Sequence, residues 1–222
     1  AFTTVQAAGA QVVWSSTACT FTHEKAFILD GATAWIMTMN AATSAVSSNR
    51  EYLAIDTDPG DVAEAEAIFA ADFAHQAIAP TGKLVVANTN ARAELVALAG
   101  TATSTLDVEG EEFSDLLTNG PSVVAAVAAA ASRGVAVRVV VANDTLDTAS
   151  IQRVKLAGGQ IVMTGPTSSR GTRTNPYIHA KAMVVDCTPS GCARGYVGSE
   201  NFSTGSLGYN RELGVMFDTA AE

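Results

Sequence analysis

The sequence predicts an α/β fold of two pseudo-symmetric lobes, each a mixed, mostly parallel sheet flanked by helices, with a shared site where the lobes meet. Three observations point there. Strand-like apolar runs alternate with helical ones between residues 84 and 164. Two stretches of the chain repeat each other at matched spacing. Each copy carries a histidine and a lysine two residues apart in a run that otherwise reads as core.

The alternation covers most of the second half. "GKLVVANTN", "STLDVEGEEFS" and "VAVRVVVA" read as strands, and "ARAELVALAGTA", "SVVAAVAAAASRG" and "TASIQRVKLAG" read as helices between and after them. Strands joined through helices run parallel, because the helix carries the chain back to the same end of the sheet. The unbroken runs "VAVRVVVA" and "KAMVVD" suit central strands covered on both faces. The acidic stretch Glu109–Asp115 reads as a strand end and helix start, with a place at the mouth of the site as the alternative.

The repeat sets Val5–Gly31 beside Val154–Asp186. Each copy has a helix end, an Ala-Gly stop signal, a short apolar strand, a polar loop and the His-x-Lys strand. "WIMTMN" (Trp35–Asn40) then matches "YVGSEN" (Tyr196–Asn201), and "NREYLAIDTD" (Asn49–Asp58) matches "NRELGVMFDT" (Asn210–Thr219). His to Asp is 7 residues in both copies, and Asn to Glu is 11 in both. Asp30 to Asn40 is 10 against 15 for Asp186 to Asn201, and the extra residues fall in the hairpin of Cys187 and Cys192, where insertion costs little. The first lobe is assigned to residues 1–79 and the second to 80–222. The first continues past Glu51 into a helix opened by an Asp, whereas the second stops where its own last helix should begin. The first lacks nearly all the strand–helix units that precede His179. The expectation is a chain that begins inside one lobe and ends inside the other, with a much reduced first sheet.

Composition narrows the function. The 222 residues carry 13 basic and 22 acidic side chains, a net charge of −9, and the lysines are only Lys25, Lys83, Lys155 and Lys181. Sequence-independent nucleic-acid binding is driven by counterion release to a basic surface, so nucleic acid is disfavoured. No basic amphipathic helix suits a resident membrane binder. The longest apolar run, Val123–Ala131, is too short and alanine-rich to span a bilayer, and no signal segment is visible. Cys187 and Cys192 bracket a Pro-Gly turn and are expected to form a disulfide, which places the chain in a secreted or periplasmic setting.

In a strand, residues i and i+2 share a face, so His23 projects with Lys25 and His179 with Lys181. With Asp30 and Asp186, Thr38 and Ser199, Asn40 and Asn201, and Glu51 and Glu212 behind them, the set resembles the paired HxKxxxxD, GSxN and downstream Glu motifs of the phospholipase D superfamily. One departure stands: Met37-Thr38 replaces the glycine and serine found at Gly198-Ser199. Thr keeps the hydroxyl; the tight backbone allowed by glycine is in question there.

The chemistry fits these residue types. A neutral imidazole escapes the repulsion a phosphodiester exerts on anionic nucleophiles and can form a phosphohistidine. Lys25, Lys181, Asn40 and Asn201 supply fixed donors to the charge developing on phosphorus-bound oxygens. One histidine attacks while the other protonates the leaving oxygen, then takes a proton from water or an alcohol. Glu51 and Glu212 each hold an imidazole Nδ1, within a lobe or across to the other. By resemblance, His23 is the nucleophile and His179 the acid. Asp30 and Asp186 are expected to be structural caps, and Arg170 and Arg173 are candidates to meet a substrate anion. No cofactor and no metal are called for.

The reading is a phosphodiester hydrolase or phosphatidyltransferase acting on phospholipids during transient contact with a membrane surface. A metal-independent endonuclease of the same superfamily and an inactive binding fragment are the alternatives. No obligate protein partner is inferred, and another chain is one source for the missing first-lobe segment.

Overall fold

The computed structural model describes residues 2–143, 148–167 and 171–218. After a short helix α1 (Phe2–Ala7), the first lobe comprises β1 (Ala26–Leu29), β2 (Thr33–Met37), α2 (Thr43–Ser48), β3 (Asn49–Arg50), β4 (Leu53–Asp56) and α3 (Pro59–Phe73). The second comprises β5 (Leu84–Val86), α4 (Ala91–Thr101), β6 (Thr105–Gly110), α5 (Val123–Ser132), β7 (Ala136–Ala142), α6 (Thr148–Leu156) and β8 (Gln160–Thr164). It closes with β9 (Tyr177–Ile178), β10 (Lys181–Val185), β11 (Arg194–Gly198), α7 (Thr204–Tyr209) and β12 (Leu213–Asp218).

The larger sheet has the strand order β5-β12-β11-β10-β6-β7-β8. Pairing is parallel for β6-β7 and β7-β8, where helices make the crossovers, and antiparallel across β5-β12-β11-β10-β6. The His-x-Lys strand β10 and the following β11 form the antiparallel pair that a short hairpin demands. The crossovers from β5 to β6, β6 to β7 and β7 to β8 all step in one direction across the sheet. Right-handed connections therefore put α4, α5 and α6 on one face. Their apolar sides, with Leu95, Val127 and Val154, bury Leu106, Val139, Met183 and Val185 in the main core.

This corrects the expectation that β7 and β10 are covered on both faces. In β7, Val137, Val139 and Val141 are buried while Ala136 and Arg138 are exposed. Arg138 makes a bidentate pair with Asp107 of β6 on that outer face, at 2.6 and 2.7 Å. At the other end of the sheet, α3 packs on this outer face. Val62, Ala65 and Ile68 meet Ala34 and Ile36 of the small sheet and Leu84, Val86, Leu213 and Val215 of the large one. The start of α3 is set by Asp58, whose carboxylate accepts from Gly60 N at 2.8 Å and Asp61 N at 3.2 Å, with Pro59 at the first helical position.

Among the described residues the first lobe's own sheet is the antiparallel β1-β2-β4, as its missing strand–helix units imply. The short strand expected around Val12–Trp14 is not formed. Its counterpart β8 exists by pairing with β7, and the first lobe offers no equivalent of β7, so the segment has no ladder to join. Trp14 instead stacks on Phe2 with ring centroids 4.4 Å apart.

Candidate active site

The two halves cross over where the site lies. β3 of the first lobe pairs parallel with β9 of the second (Asn49↔Tyr177, Arg50↔Ile178), and Thr22 bridges to Arg211 in the mirrored position. His179 N donates to Arg50 O at 3.2 Å, and His23 N donates to Arg211 O at 2.8 Å. Neither histidine therefore sits within the core strand that follows it, contrary to the sequence expectation. Each is drawn out of its own sheet by a backbone bond to the other lobe, and the core strand begins after it. Both ammonium groups turn back onto the preceding histidine's carbonyl: Lys181 Nζ lies 2.7 Å from His179 O, and Lys25 Nζ donates to His23 O.

The glutamates serve the opposite lobe. Glu212 Oε2 is 2.7 Å from His23 Nδ1, and Glu51 holds His179 Nδ1 at 2.9 Å through Oε1 and 3.0 Å through Oε2. Each carboxylate is itself held by neighbours. Thr38 Oγ1 donates to Glu51 at 2.6 Å and Asn49 Nδ2 at 2.9 Å; Ser206 Oγ donates to Glu212 at 2.5 Å and Asn210 Nδ2 at 2.9 Å. Burial pushes both carboxyls up, but the bonds from His179, Thr38 and Asn49 on one side, and His23, Ser206 and Asn210 on the other, leave both below the ordinary glutamate range. With Nδ1 committed to a carboxylate, Nε2 is the ring nitrogen left to each imidazole for chemistry.

The remaining site residues divide. Asn40 Nδ2 lies 3.5 Å from His179 Nε2, again across the lobes. Asn201 lines a cavity of about 470 Å³ with His23, Glu112, Phe21 and Tyr209. Ser199 is buried and touches backbone: its Oγ accepts from Leu213 N at 3.1 Å, as Thr38 Oγ1 accepts from Tyr52 N at 2.9 Å. Thr38 reaches Glu51 as well, whereas Ser206 takes that place on Glu212. The Met37 departure has a physical reason. A Cβ at Gly198 would come within 2.3 Å of Tyr196 Oη and 2.5 Å of Glu200 Oε2, a buried pair. The first lobe has Trp35 and Met39 at the matching positions, and Met37 packs there buried.

Asp30 and Asp186 both adopt left-handed backbone, with φ of 54° and 52°. Only Asp186 is a cap: its carboxylate accepts from Thr103, Ser104 and Thr105 N at 2.6–3.1 Å and from the Thr103 and Ser104 hydroxyls. Among the described residues nothing comparable binds Asp30, because the segment ahead of β6 has no first-lobe equivalent. Arg173 is exposed on the loop between β8 and β9; Arg170 lies outside the described residues. Cys187 and Cys192 form the expected disulfide.

Four groups were missed as site residues. Asn49 and Asn210 were legible, since each stands two residues before its glutamate in the repeated "NRE". Ser206 has no counterpart in the repeat and left no signal. Glu111, in the acidic stretch read only as a site-mouth alternative, lies against His179 and Lys181. Its Oε2 is 2.7 Å from Lys181 Nζ and 3.5 Å from His179 Nε2, and Tyr177 Oη donates to its Oε1 at 2.9 Å. Burial raises this carboxyl, but Lys181 and His179 outweigh it and hold it ionised. Burial likewise draws the Lys25 ammonium down to about 8, against the pull of Glu212; Lys181, Glu111 and Glu51 act on it too. The charges of both lobes thus form one cluster. Among the described residues no group of three or more His, Cys, Asp or Glu is placed to hold a metal ion.

The family of cardiolipin synthase, PLD-like domains matches residues 1–73 and 95–222. The chain belongs to the phospholipase D superfamily. Phospholipase D superfamily members are phosphodiester-cleaving enzymes. The fold is also similar to a polyphosphate kinase from Porphyromonas gingivalis, at 13% identity and a TM-score of 0.68, over 98% of this chain and 34% of that one. The chain thus spans about a third of that enzyme's length. Two further similarities are to Nuc, a phospholipase D family member from Salmonella typhimurium (21% identity, TM-score 0.47, 61% of this chain and 82% of that one), and to NucT from Helicobacter pylori (16%, 0.45, 61% and 84%). None of the curated protein sequences compared is significantly similar.

Proposed function

We propose that the chain cleaves or transfers phosphodiesters through a phosphohistidine on His23, with phospholipids as substrates. The observation that carries this is the reciprocal pairing of His23 with Glu212 and His179 with Glu51, which commits each Nδ1 to a carboxylate of the other lobe and leaves each Nε2 as the nitrogen for chemistry on phosphorus. His23 Nε2 attacks phosphorus while His179 gives its Nε2 proton to the leaving oxygen as the P–O bond breaks. His179 then takes a proton from water or an alcohol, whose oxygen displaces His23 and regenerates both groups. The assignment is supported by access: the His23 side chain is 29% exposed and that of His179 8%. Lys25, Lys181, Asn40 and Asn201 stabilise the charge on the non-bridging oxygens.

The lipid reading rests on the net charge of −9 and on the exposed Phe21 and Tyr209 at the cavity beside His23, which suit the apolar part of a lipid better than a polyanion. Transient contact with a membrane surface is part of the same proposal; no described helix is long and apolar enough to cross a membrane. The disulfide supports a secreted or periplasmic setting. Another chain completing the first lobe is a further proposal, which its small sheet supports.

The test offers phosphatidylcholine, phosphatidylglycerol, a plasmid and a polyphosphate to the protein, each with EDTA present, and looks for an acid-labile phosphoryl adduct. Lipid turnover with the adduct on His23, lost in His23→Ala, is the expected result. Plasmid cleavage alone replaces the lipid reading with the nuclease one. Turnover that survives His23→Ala removes His23 as nucleophile.

A further inference from the structure

We infer that Glu111 is the positioning residue that keeps a proton on His179 Nε2, and so makes His179 the acid of the pair. The inference rests on the two-histidine scheme proposed above and explains what the repeat leaves open: how two equivalent imidazoles acquire opposite duties.

The two sites match on the Nδ1 side, where each imidazole meets one buried glutamate held by a hydroxyl and an asparagine. They differ on the Nε2 side. His179 Nε2 has the Glu111 carboxylate at 3.5 Å, so a protonated ring lies between two carboxylates, Glu51 and Glu111. Among the described residues no carboxylate lies within ion-pair distance of His23 Nε2; Glu112 only lines the same cavity. Among the described residues Lys181 is paired to Glu111 at 2.7 Å, and Lys25 lies within reach of the charges of Lys181, Glu111 and Glu51. Asn40, 3.5 Å from the same Nε2, does not decide the matter, since an amide presents either an acceptor or a donor.

The asymmetry has a topological origin. Glu111 directly follows β6, whose Gly110 pairs with Lys181, and Glu111 N donates to Ala180 O at 3.0 Å. That strand delivers the carboxylate to Lys181 and His179. Among the described residues β1, the counterpart of β10, pairs only with β2, and no first-lobe strand stands where β6 stands beside β10 to bring a carboxylate to Lys25 and His23. The Tyr177 hydroxyl on the other oxygen fixes the carboxylate's orientation. The same carboxylate occupies Lys181, so an incoming phosphate shares that ammonium with it.

The test is an NMR titration of the imidazoles in the wild type and Glu111→Gln. The amide keeps the shape and removes the charge. The chain has three histidines, and His75, bonded to Trp14 O, is an internal reference. The expected result is a fall of about tenfold in the proton affinity of His179, with His23 and His75 unmoved. Glu111→Asp, which keeps the charge but withdraws it, shifts His179 in the same direction by less, and serves if the Gln variant fails to fold. An unmoved His179, or equal shifts in His179 and His23, overturns the inference. This readout needs no turnover, so it is separate from the test of the proposed function.

In kinetics, Glu111→Gln lowers kcat at least about tenfold more on an alkyl phosphodiester than on an activated aryl ester, because a phenolate needs no proton to leave. Equal losses on both esters indicate a merely structural role.

Discussion

Glu212 stands in the second lobe and His23 in the first, yet their carboxylate and Nδ1 are 2.7 Å apart, and Glu51 returns the arrangement to His179. Each half-site is therefore completed by the other half of the chain. Glu212→Gln and Glu51→Gln offer the imidazole the wrong partner and favour the wrong tautomer. Each is expected to lower kcat by on the order of 10²–10⁴ with little change in KM. Steady-state kinetics on the substrate identified above check it; a loss below about threefold shows that the carboxylates do not set the ring.

Two other glutamates govern stability. Glu200 is fully buried beside Tyr196; burial, and then Glu212, push its carboxyl up to about 8. Burial and Asp72 push Glu24 up to about 7. Both folded values exceed the unfolded one, so the fold favours the protonated forms. Their contribution is complete below about pH 4.5 and is lost as the pH rises through 7 for Glu24 and 8 for Glu200. Urea unfolding is expected to show lower stability at pH 8 than at pH 5.5, with a smaller difference in Glu200→Gln, whose amide stays neutral. An unchanged difference sinks this assignment. Glu51 and Glu212 act in the opposite sense: their depressed values contribute above the unfolded range and are lost as the pH falls.

The two motif aspartates are predicted to behave differently. Asp186→Ala strips the bonds from the Thr103–Thr105 segment and costs about 1–3 kcal/mol with kcat intact. Asp30→Ala is expected to cost less than about 0.5 kcal/mol. Paired denaturation curves and kinetics decide it; a kcat loss in Asp186→Ala with no stability change means the residue is catalytic after all.

Cys187 and Cys192, five apart, close a short loop at the end of β10 remote from Lys181. Reduction is expected to cost about 2 kcal/mol, lowering Tm by several degrees, with activity retained at 25 °C. Loss of activity on reduction at that temperature would tie the hairpin to the site.

The repeat, its spacings and the identity of the two His-x-Lys pairs were legible because matched local patterns survive in a linear text. So were the six long strand and helix runs of the second lobe. The failures were of another kind. Val12–Trp14 looks like a strand, yet a strand exists only through its neighbour, and the neighbour's absence is a fact about the sheet. β7 reads as doubly covered, but handed crossovers that all step the same way put its helices on one face.

By itself the sequence singled out the paired His, Lys, Asn and Glu side chains, showed that they come in two sets, and indicated that the first lobe has the smaller sheet. It left undecided which glutamate serves which histidine, and it did not mark Glu111 as different from its acidic neighbours. Those choices were made by tertiary structure: β3 crosses to β9, Thr22 crosses to Arg211, and β6 lies beside β10. Hydrogen bonds and ion pairs act over about 3 Å, and only packing brings residues 51 and 179, 23 and 212, or 111 and 181 within that reach.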